Sequence, residues 1–143
     1  MRFLDLPPVW LLGALIVSWL SPWIVPWGTA FWPGMILLAL AAVLTVAALV
    51  EFARSKTTVI PHLDPTALIT GGVFRWTRNP IYLADALILA GFALIWGKVL
   101  GLILVPALAL LLDRRFIRGE EARLSTAFGE AFAAYAAQTR RWF

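Results

Sequence analysis

No cysteine occurs in the 143 residues, and there is a single histidine, His62. The first absence excludes disulfides, thiolate nucleophiles, iron–sulfur clusters and thiolate zinc sites, and the second excludes a bis-histidine haem within one chain. Charge is scarce too: 14% of the residues are Asp, Glu, Lys or Arg, where soluble domains carry about a quarter. Apolar residues make up 62% of the chain, and the mean hydropathy is +0.85. That balance argues against a water-soluble globule and for lipid as the main solvent of one domain. The net charge of +4 raises nucleic acid as a partner. No basic patch interleaved with aromatics stands apart from the apolar runs, so no nucleic acid is expected.

Four apolar segments are expected to span the bilayer, at about 9–27, 31–52, 80–97 and 99–117. Pro7 and Pro8 suit the start of the first, and Pro22 and Pro26 end its regular helix early. The stretch after it holds Trp and Pro where a signal peptidase needs small residues, which suggests an uncleaved anchor. The second is the clearest span, its 22 residues giving about 33 Å of helix against a hydrocarbon core of roughly 30 Å. Gly97 and Lys98 leave room only for a tight hairpin between the third and fourth. The fourth is short before Asp113 and needs Arg114 and Arg115 to snorkel, and Pro106 predicts a kink in it. The tryptophans at positions 19, 23, 27, 32, 76, 96 and 142 suit the two interfaces.

Eleven of the twelve basic residues fall on one side of this topology, and only Lys98 falls on the other. Basic residues concentrate on the cytoplasmic side. The expected protein is therefore a multi-pass inner-membrane protein with both termini and the 53–79 loop in the cytoplasm. Residues 118–143 form a C-terminal cytoplasmic amphipathic helix, in which Leu124, Phe128, Phe132 and Tyr135 recur at helical spacing and either pack on the bundle or lie in the headgroup layer. The fold class is all-α integral membrane.

Two polar clusters flank the hairpin. The first, "TGGVFRWTRNPIYLAD", runs from Thr70 to Asp85. Gly71 and Gly72 let a ligand approach the main chain, and Asn79 before Pro80 is biased away from helix, so Pro80 opens the third span. Tyr82 and Asp85 then lie one and two turns inside. The second holds Glu120 and Glu121, with Arg118 to Glu121 and Glu120 to Arg123 at pairing distance along a helix. Because the hairpin brings its two cytoplasmic ends together, Arg78, Asn79 and Tyr82 face the glutamates across about one helix diameter, ~10 Å. Taken singly, Arg75 and Arg78 read equally as headgroup-level anchors. Asp85, an acid within a span, is either functional or paired with Arg75 or Arg78. Glu51 pairs with Arg54 at three-residue spacing, and His62 reads as a loop residue.

Together these elements resemble the isoprenylcysteine carboxyl methyltransferase and phospholipid methyltransferase superfamily. Arg78, Asn79, Pro80 and Tyr82 match its R-[HN]-P-x-Y element, and Glu120, Glu121, Leu124, Phe128, Gly129, Phe132 and Tyr135 match its second element after the hairpin. Family members commonly carry glycine where this chain has Ala84. Asp85 is an unusual acid there, and asparagine at position 79 is the form associated with bacterial members. The resemblance implies transfer of a methyl group from S-adenosylmethionine within the bilayer, to a lipid-soluble or amphipathic acceptor whose reacting group is a carboxylate, an amine or a thiol. It implies cofactor contacts by His62, Thr70, Gly71, Gly72, Arg75, Arg78, Asn79, Tyr82, Glu120 and Glu121, catalytic roles for Arg78, Tyr82 and Asp85, and no metal. Glu120 or Glu121 would match the cofactor's amino group, and Arg78 or Arg75 its carboxylate. The rivals are a small transporter or assembly protein using Asp85 or Glu51 as a coupling carboxylate, and a degenerate, cofactor-free member of the same fold.

Overall fold

The computed structural model describes residues 5–26, 28–57 and 65–143, and every regular element among them is helical. The α-helices are α1 (Pro7–Leu20), α2 (Phe31–Ser55), α3 (Pro80–Trp96), α4 (Val99–Leu112) and α5 (Arg118–Gln138). A 3-10 turn covers Gly72–Arg75, and a π-helical turn, Asp113–Ile117, joins α4 to α5.

The first apolar helix is shorter than its run of apolar residues. Ser21 is already extended at φ −69° and ψ 156°, the conformation that a following proline imposes, and Pro22 has no N–H with which to continue the ladder. Only α2, with 25 residues, is long and apolar enough among the described residues to cross a membrane. Helices α1, α3 and α4 have 14, 17 and 14 residues, about 21 to 26 Å of rise. The expectation of four apolar helices is met in number, and in spanning length by one of them.

Helix α3 is the centre of the bundle and packs against α1, α2 and α4. Its contact with α2 runs along small residues seven apart. Gly34, Ala41 and Ala48 are the buried positions of α2, and Ala84 and Gly91 are buried on α3. At the crossing the backbones nearly touch: a Cβ on Gly34 would sit 2.7 Å from the Gly91 carbonyl oxygen. Without a strong hydrophobic drive between helices in lipid, such close approach is a main source of association. The large residues point the other way, and Leu12, Ile16, Trp32, Ile36, Leu40, Val43, Val46 and Ile103 are all exposed.

The hairpin turn is as short as the sequence requires. Gly97 takes φ 68°, a conformation open to glycine at no steric cost. Lys98 is buried, donates a hydrogen bond to the Ser21 carbonyl and lies 5.1 Å from the centre of the Trp23 ring. A cation is favoured at the C-terminal end of α1, where helix carbonyls lack donors. Lys98, the one basic residue at that end of the bundle among the described residues, thus ties α1 to the α3–α4 turn.

At the opposite end Leu11, Tyr82, Leu89, Leu108, Leu112, Phe116 and Ile117 form the main core. A second cluster joins Ala48 of α2 to Ile69 and Phe74 of the loop, with Tyr135 of α5 packed on it. The predicted apolar stripe of α5 is not continuous, because Gly129 leaves helical geometry at φ 49° and ψ −120°. Beyond that kink Phe132 is buried and Tyr135 packs on the loop, so the outer half of the stripe docks on the protein.

Gly34→Ala is expected to lower thermal stability in detergent by about 1–3 kcal/mol through overpacking. Gly13→Ala, whose Cβ would meet nothing within 4 Å, is expected to be neutral or stabilising by up to ~1 kcal/mol. Equal effects of the two would contradict the close α2–α3 crossing.

Candidate functional site

Four segments meet at the end of the bundle opposite Lys98: the 77–79 turn with the start of α3, the π-helical turn, the head of α5, and the tail 139–143. Pro80 begins α3 and leaves Asn79 outside it at φ −131° and ψ 60°. The backbone there is then free to pair with the tail. The Arg78 N–H donates to the Arg140 carbonyl at 3.0 Å. The Arg141 carbonyl accepts from Asn79 Nδ2 at 3.0 Å and from Thr77 Oγ1 at 3.2 Å.

Onto this frame the side chains converge. The Tyr82 hydroxyl, one turn into α3, donates to Glu120 Oε1 at 2.6 Å, and its ring stacks on Phe116 at 6.3 Å between centres. Arg78 Nη2 lies 3.4 Å from Glu121 Oε1. Arg141 grips the same carboxylate in bidentate fashion, Nε to Oε1 at 3.1 Å and Nη2 to Oε2 at 2.5 Å. Its remaining nitrogen, Nη1, reaches Asp113 Oδ1 at 3.0 Å, while Arg118 Nε holds Asp113 Oδ2 at 2.9 Å. The helical-spacing pair Arg118–Glu121 gives way to these tertiary partners, because the tail delivers a guanidinium fork directly to Glu121.

Electrostatics separate the two neighbouring glutamates. Burial pushes the Glu120 carboxyl above the usual carboxylate range and the charge of Glu121 adds to the rise, while the Tyr82 hydrogen bond and the charge of Arg123 pull it back. Tyr135 donates to the Phe74 carbonyl at 2.7 Å. Burial pushes its hydroxyl up to about 12, against the opposing charge of Arg78. Arg78 therefore stands between Glu121 and Tyr135. Its Nε is buried and has no hydrogen-bond partner among the described residues.

Next to this cluster lies a cavity of about 400 Å³ lined by Thr70, Arg75, Ala134, Tyr135, Gln138 and Thr139. It brings Thr70 and Arg75 of the sequence-derived set alongside the outer half of α5. Arg78, Asn79, Tyr82, Glu120 and Glu121 are brought together at the helix ends, with Asn79 engaged by the tail. Gly71 and Gly72 sit elsewhere, against Glu51: a Cβ on Gly72, which has φ +54°, would lie 2.5 Å from Glu51 Oε1. Glu51 pairs with Arg54 at 3.4 Å, as its spacing predicts. His62, like Trp27, lies outside the described residues. Asp85 is buried in α3 and its Oδ2 has no hydrogen-bond partner among the described residues. It pairs with neither Arg75 nor Arg78, because it lies a turn deeper than Tyr82 on a helix whose mouth both arginines precede. Asp113 and Arg141 are the members of the cluster that sequence reasoning missed. Asp113 reads in sequence as the end of an apolar run, and the tail is docked through main-chain carbonyls, which leave no residue signature.

A family model described as phospholipid methyltransferase matches residues 29–131, which covers α2 to α5 as far as the Gly129 kink and bears out the family expected from the sequence. No curated protein matches the chain, and no solved structure does.

Tyr82→Phe keeps the stack on Phe116 and deletes only the hydroxyl. Stability is expected to fall by about 1–2 kcal/mol where Glu120 is ionised, since a half-buried carboxylate loses its donor. Without that donor Glu120 titrates higher still, so the deficit is present when Glu120 is ionised and shrinks as acid protonates it. Thermal melts of both proteins across pH test this, and a deficit independent of pH would contradict the pairing.

Proposed function

Because the chain belongs to the phospholipid methyltransferase family, we propose that it is an integral membrane enzyme that takes a methyl group from S-adenosylmethionine and passes it to a lipid-soluble or amphipathic acceptor arriving from the bilayer. The observation that carries this reading is the convergence of Arg78 and Tyr82, at the mouth of α3, with Glu120 and Glu121 at the head of α5, beside a cavity of about 400 Å³.

The residues present fit the cofactor. Its amino-acid end bears an ammonium and a carboxylate, and the cluster offers a matching acid and base within one helix diameter. Arg78 Nε, buried and unpartnered among the described residues, is a donor that a ligand carboxylate would satisfy. Glu120 spends one oxygen on Tyr82 and retains the other for an ammonium. Thr70, Gln138 and Thr139 in the cavity wall supply hydroxyl and amide groups suited to a ribose and a base, and Arg75 adds a second cation. When bound, S-adenosylmethionine supplies an electrophilic methyl group carried on a sulfonium.

The protein's own contribution is to orient, to exclude water and to manage a proton. Positioning of reactants in a dry site accounts for several kcal/mol of barrier in well-oriented systems. The stacked Tyr82 and Phe116 close the apolar side of the cluster against the main core. Asp85, with its unpartnered Oδ2, is placed to take a proton from an acceptor that must lose one, such as an amine. A carboxylate or thiolate acceptor needs no base. The arginine distribution supports a reading with four spans and with both termini and the site in the cytoplasm, and the outward-facing apolar residues of α1, α2 and α4 suit it. The short α1 and α4 have an aromatic and a cation at each limit, Trp23 with Lys98 and Trp10 with Arg115, which is the anchoring short helices need.

Incubation of the purified protein with methyl-labelled S-adenosylmethionine and membrane lipid is expected to place label in one lipid fraction. Arg78→Ala and Glu120→Gln should each reduce the rate by at least about tenfold, the scale of a lost charge-assisted contact, and Arg54→Ala should not. Absence of label from every lipid fraction, or indifference to both site variants, would favour a transport or assembly role.

A further inference from the structure

The two adjacent glutamates are treated very differently by the fold. Glu121 has both oxygens occupied by guanidinium groups, two bonds from Arg141 and a contact from Arg78. Glu120 has one oxygen on the Tyr82 hydroxyl, and its other oxygen receives no hydrogen bond among the described residues. The residue responsible for the difference is Arg141, which lies beyond the segment matched by the family. Its backbone is fastened to Thr77 and Asn79, so the guanidinium is delivered to Glu121 from a fixed base and steadied by Asp113 on its far side.

We propose that Arg141 is a positioning residue that makes Glu121 a structural hub, holding Arg78 in place, and thereby reserves Glu120 alone as the anionic subsite for the ammonium of the methyl donor. The inference rests on the methyl-transfer reading and adds a division of labour to it. Arg141 touches neither donor nor acceptor. It acts by neutralising Glu121, so that Glu120 has a compensated neighbour, and by closing the tail over the 77–79 turn.

Charge makes the proposal testable. Glu120 is faced by Tyr82 on α3, which Asp85 faces in turn, and by Glu121 and Arg123 on α5; Glu121 is faced by Arg78 from the turn and Arg141 from the tail, and Asp113 and Arg118 complete the network. An ammonium binds only ionised Glu120, so affinity rises as pH climbs through the Glu120 titration and then levels off. Removing Arg141 leaves the charge of Glu121 balanced by Arg78 alone, and the larger residual negative charge resists ionisation of Glu120 and moves this acid limb to higher pH. Neutralising Glu121 as well removes the cause and returns the limb to the wild-type position or below it.

The experiment is the pH dependence of S-adenosylhomocysteine binding by the full-length protein, measured calorimetrically in detergent for wild type, Arg141→Ala, Arg141→Lys, Glu121→Gln and the double variant Arg141→Ala/Glu121→Gln. Glu120→Gln serves as the variant that should lose the acid limb. The expected results are an upward shift of the limb in Arg141→Ala with affinity at neutral pH about tenfold weaker, a smaller shift in Arg141→Lys, and reversal of the shift in the double variant. Lysine keeps the charge without the fork, so this variant reports the effect even if alanine unfolds the tail. An unmoved limb in both Arg141 variants of a wild type that binds overturns the inference, as does a limb abolished by Glu121→Gln and kept by Glu120→Gln. A wild type that binds no S-adenosylhomocysteine at any pH overturns the methyl-transfer reading itself, and the inference with it.

Discussion

One half-buried carboxylate holds the functional end of this molecule together. Glu121 receives Arg78 from the mouth of α3 and Arg141 from the tail, with side chains 17%, 16% and 35% exposed. Charges withdrawn from water to that degree persist only when they are paired and hydrogen-bonded. The pairing fixes which segments meet: the helix that opens at Pro80, the helix that follows the π-helical turn, and five residues of tail. Asp113 extends the same constraint by bridging Arg118 and Arg141. A π-helical turn at that point rotates the start of α5 relative to α4, a feature that recurs at functional sites in other helices.

The rest of the bundle supports that meeting point. Close approach of α2 and α3 at Gly34 and Gly91 sets the angle of α3, and the two-residue turn at Gly97 and Lys98 sets the position of α4. Buried Lys98 pins α1 to that turn at the far end. These contacts use small residues and a single internal cation and leave the large apolar side chains pointing outward. A membrane protein shows that distribution, because lipid rather than water bathes the outer faces.

Much of this arrangement is legible from residues alone. A hairpin with two residues in its turn must bring its open ends together, which is enough to set Arg78, Asn79 and Tyr82 facing Glu120 and Glu121, but not to say that Tyr82 meets Glu120 and Arg78 meets Glu121. Helix starts at Pro7 and Pro80 follow from the missing N–H of proline. The length of α1 is less legible, because the apolar run continues after the backbone has been turned aside at Ser21. Local spacing misleads at Arg118, whose carboxylate partner is Asp113 in place of Glu121, since helical spacing says nothing about a competing guanidinium from a distant tail. Gly71 and Gly72 read as a ligand loop, but Gly72 makes room for Glu51. Arg141 is invisible in sequence, because it is positioned by bonds from the Thr77 and Asn79 side chains to its main-chain carbonyl, across more than sixty residues.

The central claim is that the gap between α3 and the outer half of α5 receives a sulfonium nucleotide, with its amino-acid end at Arg78 and Glu120. An experimentally determined structure of the protein with S-adenosylhomocysteine bound tests it most directly. The nucleoside should lie among Thr70, Arg75, Gln138 and Thr139, with its carboxylate at Arg78 and its ammonium at Glu120, and with Glu121 still held by Arg141. A nucleoside bound elsewhere on the molecule, or Arg78 and Glu120 turned apart with nothing between them, would contradict it.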